Sequence, residues 1–134
     1  YKLDAQGNFD LWLADEKLDN PNGLLIQDNT MYVASWGSDP AGGRVSKVDM
    51  ATKVVTNITP DIVGNLDGIR PYDENQLIIS DWQSGNVHLM KMDGTLEKVV
   101  QVGQSVGDIA YIQDQQLLLL PMNKQARLLI YALK

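Results

Sequence analysis

The chain has 134 residues, 44% of them hydrophobic, enough for a packed core and too many for a disordered segment. Seventeen acidic against eleven basic residues give a formal charge of −6. This balance speaks against a nucleic-acid backbone or an anionic membrane as the main partner and suits a cation or a neutral small molecule. Cysteine is absent, so neither a disulfide nor a thiolate metal site is available, and no apolar run approaches the roughly 20 residues of a membrane span.

In chain order, the first segment with a counterpart elsewhere is Tyr1-Lys2-Leu3-Asp4, which matches Ser46-Lys47-Val48-Asp49 and Leu89-Met90-Lys91-Met92-Asp93. A short turn follows each copy, at Ala5-Gln6-Gly7, Met50-Ala51-Thr52 and Gly94-Thr95, and reads as a hairpin loop. Strands of mixed polarity are then expected over 8–12, 53–57 and 96–101, the pattern of a solvent-facing edge. Crossovers at 15–21, 60–66 and 103–106 lead to Pro21-Asn22-Gly23-Leu24, Leu66-Asp67-Gly68-Ile69 and Val106-Gly107-Asp108-Ile109. Polar turns at 28–29, 73–75 and 113–115 introduce the apolar runs 31–36, 77–82 and 117–122, and second turns fall at 39–43, 84–85 and 123–125. No stretch carries a helical period.

Four strand-like segments recur every 40 to 50 residues or so, the signature of a β-propeller blade. The expected fold is therefore all-β, with about three four-stranded blades forming half of a six-bladed propeller. With strands named A to D outward, residues 1–14 supply the end of C and then D, residues 15–58 and 59–102 supply two full blades, and residues 103–134 supply A to C. Propellers close with about 4 to 8 blades, because each blade packs on two neighbours. Two completions stay open: a second half-propeller from a preceding part of a longer chain, or a second copy with exchanged D strands. Because the sequence starts at Tyr1 inside a repeat, upstream residues are expected, and any targeting signal with them.

The first residues of the innermost strands stand at the mouth of the central channel. Asn22 and Asp67 are thus expected to meet there from adjacent blades, two oxygen donors suited to a hard divalent cation. Ca²⁺ fits best, with Mg²⁺, Mn²⁺ or Zn²⁺ as alternatives. The third repeat has Gly107 in that place and Asp108 one position on, so further ligands must come from elsewhere. Trp36 and Trp82, at the ends of second strands, are candidate stacking platforms for a substrate, and Arg70 is a candidate group for an acidic one.

These motifs, Asn22-Gly23 and then Asp67-Gly68 about one blade later, resemble the senescence-marker-protein, gluconolactonase and luciferin-regenerating-enzyme superfamily of six-bladed propellers. The combination of Ala34-Ser35-Trp36-Gly37, Ser80-Asp81-Trp82 and the ending Ile130-Tyr131-Ala132-Leu133-Lys134 looks most like uncharacterised bacterial members. The resemblance implies that Asn22 and Asp67 bind a divalent metal together with a Glu from a first blade outside this chain, and that Asp67 assists lactone hydrolysis. It implies a metal-dependent hydrolase of lactones or small esters in the periplasm or secreted, with the cytoplasm left open. The alternative is a non-catalytic propeller that binds a small molecule or a protein.

Plainer readings compete at every position. Asn or Asp before Gly also forms tight turns, periodic tryptophans pack blade on blade, Asp81 caps a hairpin, and Arg70 pairs with an acidic loop. His88, the single histidine, falls on a third strand away from the channel. No Gly-Xaa-Ser-Xaa-Gly elbow, HExxH pair or phosphate loop is present, so serine, zincin and nucleotide chemistry have no support.

Overall fold

Short polar turns divide the chain into thirteen strands, which the computed structural model, describing residues 1–133, arranges in four antiparallel sheets. The last expected blade, 103–134, ends one residue beyond the described ones. Strands β1 (Lys2–Leu3) and β2 (Phe9–Asp10) form a leading hairpin. The first full sheet is β3 (Pro21–Gln27), β4 (Thr30–Ser35), β5 (Val45–Asp49) and β6 (Val55–Asn57). The middle sheet is β7 (Leu66–Pro71), β8 (Gln76–Asp81), β9 (Asn86–Lys91) and β10 (Leu96–Gln101). The third has only β11 (Ala110–Ile112), β12 (Leu117–Met122) and β13 (Arg127–Ala132). Every strand pairs with its neighbour in the chain, so each sheet is a meander and the chain is a partial β-propeller.

One device recurs at the corners. The carboxylates of Asp4, Asp49 and Asp93, each just past a third strand or at its end, accept from the backbone N–H groups of the turn that follows: Gln6 and Asn8, Ala51 and Thr52, and Thr95. At Asp4 the Asn8 side-chain amide donates as well and contributes most; these bonds favour the ionised form and hold all three carboxyls below the usual aspartate range. In the third sheet the chain reverses instead through single 3-10 turns, Gln113–Gln115 and Asn123–Gln125, closed by Gln116 and Ala126 in the left-handed region at φ 54° and 49°. Two of the three outer strands are shorter than their patterns predict, β2 covering Phe9–Asp10 of 8–12 and β6 covering Val55–Asn57 of 53–57, while β10 keeps the whole of 96–101.

The core lies between sheets. Ala34 and Val45 meet Leu66, Ile69, Leu77, Ile79 and Met90 between the first and middle sheets. Ile78 and Val87 meet Ile109, Leu118, Leu120 and Met122 on the other face of the middle sheet. Successive residues Leu77, Ile78 and Ile79 are therefore all fully buried, alternately on opposite faces. The outward face of the first sheet keeps a smaller cluster, Val33, Val48 and Val55, covered in part by Trp12, Leu13 and Leu18.

Candidate functional site

The innermost strands β3, β7 and β11 run side by side, and glycine lets them approach. A Cβ on Gly23 would overlap the carbonyl oxygen of Asp67, and one on Gly68 would lie 2.6 Å from the amide nitrogen of Ile109. Neither glycine has the positive φ of a tight turn; both sit inside strands. The turn-forming reading of Asn22-Gly23 and Asp67-Gly68 is corrected by this placement: the glycines serve close backbone approach.

What singles out Asn22 and Asp67 is a break in register. β3 slips against β4 between Pro21 and Gly23, and β7 slips against β8 between Leu66 and Ile69. A bulge of this kind re-aims the side chain it carries. The ladder bond lost at Gly68 is replaced by a side chain: its N–H donates to Ser80 Oγ at 2.8 Å, and the Ser80 hydroxyl donates to the Gly107 carbonyl at 2.9 Å. Ser80, fully buried, thus ties the Asp67 bulge to the start of the third sheet.

Asn22 and Asp67 come together as expected of them. Asn22 Nδ2 donates to the Leu66 carbonyl at 3.2 Å, across the two sheets. The Asp67 carboxyl is half-buried, and burial pushes its pKa up; the Asp108 carboxylate pushes it further, while the neighbouring Asn22 amide pulls it back. Asp108 reaches this place from the third sheet and pairs with Arg70, whose Nη2 lies 2.7 Å from Asp108 Oδ2 and whose Nη1 donates to its neighbour, the Ile69 carbonyl. Arg70 is therefore engaged with an acidic loop, the plainer of its two readings.

Trp36 and Trp82 follow β4 and β8 at the same end of the sheets, because Ser35 pairs with Pro21 and Asp81 with Leu66. Their ring centroids are 5.6 Å apart at 54°. Each backbone N–H donates to the segment before an innermost strand, Trp36 to Asn20 and Trp82 to Asn65, both at 2.9 Å. The pair packs sheet on sheet, and both residues stay partly exposed. Lys124 stands over the Trp82 ring, Nζ 4.6 Å from the centroid, a contact that sequence reasoning missed because it joins residues 42 positions apart. Asp81 caps a hairpin: its carboxylate accepts from the N–H groups of Gln83 and Ser84 and from the Ser84 hydroxyl. His88 lies on β9, its pKa lowered chiefly by burial, with Nε2 unpartnered.

Among the described residues no three His, Cys, Asp or Glu side chains gather as a metal cluster. The donor set at the channel mouth is an amide and two carboxylates, one of them neutralised by Arg70. Hard oxygen donors around a half-buried carboxyl are of the chemistry a divalent cation takes, and Asn22 and Asp67 would be the residues to hold one, two donors that fall short of a full ligand set.

No protein-family model and no curated protein matches the sequence. Solved structures do. The computationally designed Ika4 protein superposes with a TM-score of 0.61 at 9% identity, covering 85% of this chain and 66% of its own. Virginiamycin B lyase from Staphylococcus aureus gives 0.56 at 9% identity, over 87% of this chain and 42% of the lyase. Luciferin-regenerating enzyme gives 0.55 at 17% identity, over 75% of this chain and 36% of the enzyme. The chain thus spans less than two thirds of each of these three structures, and the likeness establishes the fold alone.

Proposed function

We propose that the channel mouth at Asn22 and Asp67 is half of a divalent-cation site, Ca²⁺ first, in a propeller that hydrolyses lactones or related small esters. The observation that carries the reading is the half-buried Asp67 carboxylate, set on a bulge beside Asn22 and facing the charge of Asp108. A cation there would polarise the carbonyl under attack. Asn22 and Asp67 would hold the ion through oxygen, and Asp67 would orient the attacking water, take its proton and return it to the ring oxygen as the acyl C–O bond opens. Trp36 and Trp82, partly exposed at the same end of the sheets, would border the space for the body of the substrate. Arg70 balances Asp108 and so keeps the second carboxylate from repelling the substrate's carbonyl oxygen.

A second reading, a propeller that binds without catalysis, is favoured by one observation: the Arg70–Asp108 pair occupies a carboxylate that would otherwise complete the ligand set. The experiment that separates them uses the protein with its ring complete. Calorimetric titration with Ca²⁺, Mg²⁺, Mn²⁺ and Zn²⁺, run beside a panel of aldonolactones, is expected to show cation binding and cation-dependent hydrolysis. Asp67→Asn keeps the shape and removes the charge, so binding should weaken by at least about tenfold, roughly 1.4 kcal/mol, and hydrolysis should cease. Binding without turnover would establish the second reading; no binding by the parent would remove both roles from Asn22 and Asp67.

A further inference from the structure

The three innermost strands share one irregularity at the channel mouth. The stretch of β3 from Pro21 to Gly23 lies against Ser35 and Ala34 of β4, and that of β7 from Leu66 to Ile69 against Asp81 to Ile79 of β8, so each inner strand carries one residue more than its partner. The third sheet repeats the pattern. Val106 bridges Met122 and Ala110 pairs with Leu119, again with one residue more on the inner side. Gly107 therefore holds the position of Asn22 and Asp67, and Asn123 holds that of Trp36 and Trp82. The backbone agrees: the Asn123 N–H donates to the Ser105 carbonyl at 2.9 Å, as the N–H groups of Trp36 and Trp82 donate to Asn20 and Asn65.

Gly107 brings no side chain to the mouth, and the space that one would take is filled from the neighbouring position. A Cβ built on Gly107 would meet first the amide of Asn123, 3.1 Å from Nδ2 and 3.5 Å from Oδ1. Where the other two sheets set an indole beside a polar inner residue, the third folds a short amide over bare backbone. That backbone is tied to the Asp67 bulge, because the Ser80 hydroxyl joins the Gly107 carbonyl to the Gly68 N–H. The rest of the turn is occupied: the Lys124 N–H donates to Ser105 Oγ, and the Gln125 side chain bonds both the Ser105 hydroxyl and the Gln104 carbonyl. Asn123 is exposed, and its side-chain amide has no hydrogen-bond partner among the described residues.

We propose that Asn123 is a third oxygen donor of the channel-mouth cation site, an inference that rests on the reading of Asn22 and Asp67 given above. An amide oxygen is a hard neutral donor of the kind that Asn22 offers. Rotation of the amide turns Oδ1 toward the ion and Nδ2 away from it. Each of the three sheets then contributes one donor, and the third is added without adding charge. Asp108 does not take this part, because its carboxylate is turned to Arg70. The repeat pattern hides the donor, since it comes from the turn after β12 and not from the inner strand that bears the motif.

Calorimetric titration with Ca²⁺ of the protein with its ring complete, run beside Asp67→Asn, tests this. Asn123→Ala should weaken binding about tenfold, since affinity follows ligand number, and Asn123→Asp, which adds a charge to the same donor, should tighten it by about as much. Gly107→Ala should weaken binding as well. Gly107 has no positive φ, so its added Cβ acts by displacing the Asn123 amide. Circular dichroism of all three variants should keep the strand signal. A parent that binds no cation removes the reading of Asn22 and Asp67, and this inference with it. A parent that loses affinity in Asp67→Asn but is unmoved by Asn123→Ala and Gly107→Ala overturns the third donor alone. Weaker binding by Asn123→Asp overturns it too, because the amide would then be serving through its N–H.

Discussion

The middle and third sheets are built from similar runs, yet they bury them differently. In β8, Leu77, Ile78 and Ile79 are all fully buried, because sheets stand on both sides. In β12 the run Leu117-Leu118-Leu119-Leu120 is more apolar still, but only Leu118 and Leu120 are buried, while Leu117 and Leu119 face outward half-exposed. Composition set the capacity for burial; the neighbour decides its use. A blade is stabilised as a pair of interfaces, so an end blade holds about half the packing of an interior one.

Paired truncations sharpen that contrast most. Ile79→Ala should cost about 2–5 kcal/mol in urea unfolding, because the cavity lies between two sheets. Leu119→Ala should cost a fraction of this in a single chain, and the gap should narrow wherever the outward face of the third sheet is covered. Equal losses in an isolated chain would break the comparison. Next in size is Gly68→Ala, where a Cβ 2.6 Å from the Ile109 amide nitrogen must push the innermost strands apart. A loss of about 1–3 kcal/mol is expected, from overpacking. Gly7→Ala in the leading hairpin, where nothing lies within 4 Å, isolates the backbone cost of a positive φ alone.

Acid titration compares the channel mouth with the blade corners. Asp67 has a raised folded pKa, so the folded state binds its proton more tightly than the unfolded one. Its contribution is favourable below the ordinary value of 3.8 and is lost as pH rises through the folded pKa. Asp67→Asn should therefore raise the melting temperature at pH 7 in the absence of cations and flatten the profile above that window. Asp49 has a lowered folded pKa and runs the other way: its contribution is present above 3.8 and lost as pH falls through the folded value. Asp49→Asn should lower the melting temperature slightly at pH 7, with the difference vanishing in acid. The smallest effect is expected from Lys124→Ala, which removes one exposed cation over Trp82; a shift in tryptophan fluorescence with little change in unfolding midpoint is the readout.

Much of this was legible before the structure, because propeller blades repeat. The run 117–122 and the strand 96–101 coincide with β12 and β10, and the missing fourth strand of the third sheet follows from the order of segments alone. The convergence of Asn22 and Asp67 was readable from their equivalent positions. The bulges that aim them were not, since a register slip depends on which residues of β4 and β8 stand opposite. Ser80 looked like one more strand residue; its part as a bridge appears only when Gly68 and Gly107 are seen on either side of it. Arg70 and Asp108 were both visible as charges, but 38 residues separate them, and nothing local announces the pair.

The Ser80 bridge has a mechanical side. One hydroxyl accepts from an amide next to Asp67 and donates to a carbonyl at the start of the third sheet, so it acts as a rigid strut between two blades. A shift of the third sheet loads that strut and is delivered to the Asp67 bulge, one residue away from the carboxylate. The posture of the channel-mouth carboxylate is thereby geared to how firmly the last blade is seated, and a ring left open at β13 is felt at its centre as well as at its rim.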